Sequence, residues 1–268
     1  MDAHPALTVA LFWLLFGGLH IGLTTHRTRA TLVDRLGEQG FIALFSVIAS
    51  VTFAVAIAYY AAHRGEGAPG LALGDLPIVR GGLMTLVVLG VVLMVAGPST
   101  YVGSPYDVLR HRVRPPRGME RITRHPFFVG LALFASAHAL LATTLAGTVL
   151  FSGIALVSVA GAAHQDRKLL RRLGPSYADY LAATSAVPFA AILGGRQRLV
   201  WSELPVTALA ASLLVAATLR AVHGALYAYD GAYVIAGVVG GAGIITWRSA
   251  RRTRRTQRRA ALAATAAE

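Results

Sequence analysis

The run PFFVGLALFASAHALLATTLAGTVLFSGIALVSVAGAA, residues 126–163, decides the fold. No Asp, Glu, Lys or Arg interrupts it. A helix rises about 1.5 Å per residue, and a hydrocarbon core of about 30 Å takes about 20 residues. The run is therefore long enough for two crossings, with the turn expected near Thr143–Gly147. Outward from it, residues 5–24, 39–62, 81–98, 204–219 and 231–247 are equally free of charge. Each lies close to one crossing in length. The shortest is 204–219, read as a span over 204–222, and it follows directly on Glu203. Composition agrees: 55% of the chain is hydrophobic, 14% is charged and the mean hydropathy is +0.59, against about 25% charged in an ordinary soluble domain. The expectation is an all-α, polytopic transmembrane bundle of about seven helices.

The cations follow the same plan. With seven crossings, one side receives residues 25–38, 99–124, 164–203 and the tail from 248. That side then holds every Lys and Arg except Arg64, Arg80 and Arg220. The positive-inside rule makes it cytoplasmic, so the N-terminus is expected outside, the C-terminus in the cytoplasm, and the protein in a bacterial inner (cytoplasmic) membrane. The first apolar run has no basic flank before it and exceeds a signal-peptide core, so it is expected to stay uncleaved. A net charge of +13 suits anionic lipid headgroups. The tail RSARRTRRTQRR, 248–259, reads as a solvated topology anchor, and no nucleic-acid partner is expected. Cysteine is absent, which excludes disulfides, thiolate catalysis and cysteine metal sites.

Between the spans, 99–124 is rich in Pro and Gly and reads as irregular backbone. Residues 164–183 read as an amphipathic surface helix, a break at Gly174-Pro175 and a second short helix. Residues 184–195 are apolar but too short to cross, and are expected to dip back onto the membrane face or to pack under the bundle.

Ionisable residues inside a span are costly and mark function by default. Of nine histidines, His4, His26, His63 and His111 fall in loops or tails. His20 lies late in the first span and His138 about twelve residues into the fourth, roughly 18 Å from the inner edge. Two intramembrane imidazoles without cysteine point to an N-donor cofactor, haem iron foremost. Zinc would be under-coordinated by two histidines. By the same rise per residue the two rings differ in depth by roughly 10 Å. A second cluster is expected at the inner boundary. Pro126 suits a helix start, and with Arg121, Arg124 and His125 it forms an anion site that His164 and Asp166 can complete. His223 ends the sixth span on the outer side, facing water.

Several segments share an order with a known family. RITRHP at 121–126, AH at 137–138, QDRKLLRRLG at 165–174, SAVPFAAI at 185–192 and GRQ at 195–197 resemble the NnrU-type membrane proteins, closest to the 15-cis-ζ-carotene isomerases. LHIGLTTHR at 19–27, LGEQGFIALF at 36–45, HR at 63–64 and PSTY at 98–101 continue the match. The resemblance covers roughly residues 10–225. It delimits a domain over 1–225, an additional helix over 226–247 and a basic tail over 248–268. It implies a membrane haem b protein with His20 and His138 as iron ligands, and cis–trans isomerisation of a lipid-soluble polyene without net oxidation. Arg124, His125 and Asp166 would shape the cytoplasmic mouth. The partners implied are membrane lipid and a hydrophobic small molecule. Plain NnrU proteins, linked to denitrification, share most of these motifs. RHPFFVG (124–130) with Gln165-Asp166 also partly resembles membrane methyltransferases that bind S-adenosylmethionine. There, Arg124 and His125 would face the cofactor's carboxylate.

Overall fold

The computed structural model describes residues 4–99, 113–241 and 243–244. The described residues are all-helical, with no strand among them. The helices are α1 (His4–Thr24), α2 (His26–His63), α3 (Pro77–Ala96), α4 (Met119–Ile122), α5 (Pro126–Leu141), α6 (Leu145–Leu173), α7 (Pro175–Ala183), α8 (Ala190–Leu193) and α9 (Val206–Ala221). A last helical stretch covers 228–241. Proline opens α3, α5 and α7 at the first turn, where a missing N–H costs nothing.

Among the described residues four helices are long and apolar enough to cross a membrane: α1, α2 from Arg27, α3 carried on to Ser99, and α6. Two other expected crossings are shorter. α5 and α9 have 16 residues each, or about 24 Å of rise. The expected crossing over 231–247 and the arginine tail extend beyond the described residues.

One loop expected from its charge is helical, and one expected surface helix is continuous with a span. Residues 26–36 are helical, and a kink at Gly37 separates them from the rest of α2; its φ of 71° lies in the left-handed region that glycine adopts without steric cost. The expected surface helix at 164–173 is not separate: α6 runs unbroken for 29 residues. Gly174 (φ 58°) then ends it and Pro175 starts α7, as the sequence predicts. The turn between α5 and α6 is tighter than expected, at Ala142–Thr144. It is gripped by the α2–α3 loop: the Gly70 N–H donates to the Thr143 carbonyl at 2.9 Å, Ala72 to Ala142 at 2.9 Å, and Leu145 to Ala68 at 2.8 Å.

Close helix approach is built on small residues, as expected where lipid is as apolar as the side chains. α3 and α5 cross at Gly90 and Gly130: a Cβ on Gly130 would lie 2.6 Å from the Gly90 carbonyl oxygen. α1 lies against α6 where Trp13 covers Gly153. The core at this end joins Ala6 and Val9 of α1, Ile57 and Tyr60 of α2, and Ala146 and Leu150 of α6. The opposite, basic end has its own small core of Leu169, Tyr177 and Tyr180. Large apolar side chains line the outside, among them Leu14, Val47, Leu156 and Leu214.

Candidate functional site

The basic end is organised by two carboxylates. Asp166, about two turns before the end of α6, accepts from three side chains. Arg124 donates through Nε at 2.9 Å and Nη2 at 2.8 Å to Oδ2. His125 Nε2 donates at 2.7 Å and the Tyr177 hydroxyl at 2.7 Å, both to Oδ1. The sequence-predicted trio of Arg124, His125 and Asp166 is thus brought together. The expected anion site does not stand open, however, because the chain's own carboxylate occupies the guanidinium. A methyl-donor carboxylate would have to displace Asp166, so the methyltransferase reading loses its anchor.

The second carboxylate, Glu203, accepts a bidentate pair from Arg121, Nε at 2.8 Å and Nη2 at 2.9 Å, and the Gly118 amide at 2.8 Å. The Arg121 hydrogen bonds, then that amide, hold the Glu203 carboxyl at about 2, well below its ordinary 4.5. Arg121 also donates to Gln197 at 2.9 Å. Between these knots, residues 185–189 run beside 122–124. The Arg124 amide donates to the Ser185 carbonyl at 2.8 Å, the Thr123 hydroxyl to Ala186 at 2.7 Å, and the Phe189 amide to Ile122 at 2.8 Å. The apolar 184–195 segment is thus tied to the chain that leads into α5. Glu120, fully buried, accepts from Arg114 and from the Arg117 amide.

The two span histidines lie apart. His20 is four residues from the end of α1, its ring stacked on Phe16 (centroids 5.1 Å) and tilted on Phe45 (4.6 Å). His164, exposed on α6, is within electrostatic reach of it. The His20 Nδ1 is buried without a hydrogen-bond partner. The gap beside it, between Phe16, Leu23, Phe45 and Thr52, has no room for a water molecule. His138 falls in the last turn of α5 rather than at mid-span, because α5 ends at Leu141. Its Nδ1–H donates to the Phe134 carbonyl at 2.8 Å. This leaves Nε2 as the lone-pair nitrogen and matches the orientation of metal-binding imidazoles. Phe151 of α6 lies 4.9 Å from the ring, and the His223 ring, nearly parallel, 6.3 Å away.

This arrangement tests the haem expectation. Trp13 on Gly153 fixes the register of α1 against α6. His20 lies seven residues further along α1, and Phe151, beside His138, two residues back along α6. The imidazoles are therefore offset by about 13 Å along the bundle. One iron needs both nitrogens on a single axis, and phenylalanines occupy the ring faces instead. His138 has the donor chemistry of a ligand, but His20 and His138 do not fit haem b as an axial pair. Among the described residues no group of three or more His, Asp or Glu could hold a metal ion.

Sequence reasoning missed three participants. His223 was read as facing water, and it is exposed, yet its ring stacks beside His138, 85 positions earlier in the chain. Tyr177 lies in the expected short helix after the Gly174-Pro175 break, and nothing in the sequence singles out its hydroxyl. Glu203 looked like a weak helix boundary but is the acceptor that fixes Arg121. None of these pairings carries a local spacing signal.

The family model described as NnrU protein matches residues 7–230. The chain belongs to the NnrU family. Among curated proteins it is similar to the "15-cis-zeta-carotene isomerase, chloroplastic" of Arabidopsis thaliana, 30% identical over 202 residues, covering 74% of this chain and 53% of that protein. The protein of the same name from Zea mays is 29% identical over 206 residues, with the same two coverages. The chain spans about half the length of these relatives. No solved structure matches significantly.

Proposed function

We propose that the protein is a membrane-embedded cis–trans isomerase of a lipid-soluble polyene, lying in a bacterial inner membrane with its basic end in the cytoplasm. The observation that carries this reading is the 30% identity, over 74% of the chain, to a protein named 15-cis-zeta-carotene isomerase. The physical setting is compatible. Four long apolar helices and a surface of exposed Leu and Val suit lipid, and an apolar polyene partitions there. Arginine-rich segments gathered at one end suit the cytoplasmic face. The seven-crossing plan belongs to the same proposal, with α5 and α9 as short crossings.

Isomerisation conserves atoms and electrons: the π component of one double bond is interrupted, the bond turns, and the π bond reforms. We place the reacting bond beside His138, whose Nδ1–H bond to Phe134 fixes the ring orientation. Phe134, Phe151 and His223 would offer flat faces to a conjugated chain. His20 then acts as a positioning residue between α1 and α2.

The test uses the full chain in liposomes loaded with a 15-cis polyene, with isomers separated by chromatography. Conversion above that of protein-free liposomes, reduced at least tenfold in His138→Ala with unchanged folding, is the expected result. No conversion by the folded wild-type protein overturns the reading and leaves a non-catalytic NnrU role.

A further inference from the structure

At the basic end an apolar cavity of about 130 Å³ lies between α3, α4, the 185–189 segment and the start of α9. Leu93, Met119, Ile122, Phe189, Leu204 and Leu209 are among its walls, and no charged or hydrogen-bonding side chain lines it. The cavity is partly open to its surroundings, and all of its walls are apolar. Its rim is braced by backbone hydrogen bonding. The Phe189 amide is pinned to the Ile122 carbonyl, and Phe189 itself sits at φ 62°, a left-handed conformation unfavourable for a bulky residue. Strain of this kind collects at ligand clamps. The adjoining Arg121 and Glu203 neutralise one another, so this guanidinium is not available to select an anionic head.

We infer that this cavity is a binding site for the hydrocarbon terminus of a long apolar chain entering from the bilayer. Size sets the limit: an apolar cavity of about 150 Å³ stays dry and holds benzene. The site therefore takes roughly one branched five-carbon unit or the last few methylenes, never a whole polyene. Two sources share that chemistry, an acyl lipid and a polyene substrate. The polyene assignment rests on the isomerase reading, whereas the cavity's apolar selectivity does not.

The experiment measures binding of a fluorescent conjugated tetraene fatty acid to the full-length protein in micelles. Val92→Phe and Leu209→Phe fill the cavity, and Leu14→Phe on the exposed face of α1 serves as control. Expected is at least a tenfold weaker affinity in both filled variants and none in the control. Filled variants that fold, by circular dichroism, and bind like wild type overturn the site. Should they not fold, Leu89→Ala decides: enlarging the wall should change tetraene affinity at least threefold, and an unchanged affinity overturns the site. Competition by a headgroup-free polyene hydrocarbon against a saturated phospholipid assigns the source. Failure of both competitors to displace the probe also overturns the site. Isomerase turnover is measured in parallel. Lost binding on filling without turnover in wild type retains the cavity and removes only the isomerase reading.

Discussion

Removing the Asp166 carboxylate tests how the basic end is held. In Asp166→Ala, His125 and Tyr177, 1% and 3% exposed, each lose a hydrogen bond at a position water does not easily reach. Loss of a buried partner costs about 1–3 kcal/mol. Arg124 is 18% exposed on its side chain and can turn toward solvent, so its share is discounted to under about 1 kcal/mol. His125 and Tyr177 share one oxygen of Asp166, so their losses are not additive. The net expectation is about 3 kcal/mol, within the range measured for breaking buried pairs. Asp166→Asn keeps a carbonyl acceptor and should cost about half as much. Reversible unfolding of the full chain in mixed micelles, followed by circular dichroism against denaturing detergent, reads both values. A loss below 1 kcal/mol for the alanine variant would refute the claim that three donors depend on this acceptor.

Three other outcomes follow from the described geometry. The Glu203 carboxyl is depressed in the folded protein, so its contribution is complete above pH 4.5 and vanishes as the pH falls toward 2; wild-type and Glu203→Gln stability curves should differ at pH 6 and converge at low pH, and parallel curves throughout would contradict this. In Gly130→Ala the new methyl meets the Gly90 carbonyl oxygen at 2.6 Å, so α3 and α5 must part by roughly 0.8 Å, at a cost of about 1–3 kcal/mol in the same unfolding assay. Titrated with haem b, the protein should not give the sharp absorption band of two-imidazole iron, and such a band, lost in both His20→Ala and His138→Ala, would show that the described offset of the rings does not hold.

Charge-free runs told where the helices are, because lipid-facing helices leave a compositional trace. They told less about where helices end. Residues 26–36 and 164–173 carry the arginines that mark a loop in a topology count, yet charge is compatible with helix, and only Gly37 and Gly174 turn the backbone. The Gly174-Pro175 break and the Pro126 start were readable because each rests on one residue's local stereochemistry. Arg124, His125 and Asp166 were found together because helix-end chemistry put all three at one boundary. Tyr177 escaped because its hydroxyl partner lies across a helix break. His138 was read at mid-span on the assumption of a full-length crossing, whereas α5 stops three residues later. Its partners Phe151 and His223 come from two other segments, a relation that no periodicity encodes.

α6 is one unbroken helix of about 43 Å. Its near end packs on α2 and sets Phe151 beside His138, Gly153 lies under Trp13, and its far part carries Asp166. Slipping a single extra residue into it between Val157 and Ser158 would turn everything beyond by about 100°. The carboxylate would then face away from Arg124 while every upstream contact stayed in place. The two ends of the molecule are phased to each other like gears on a common shaft.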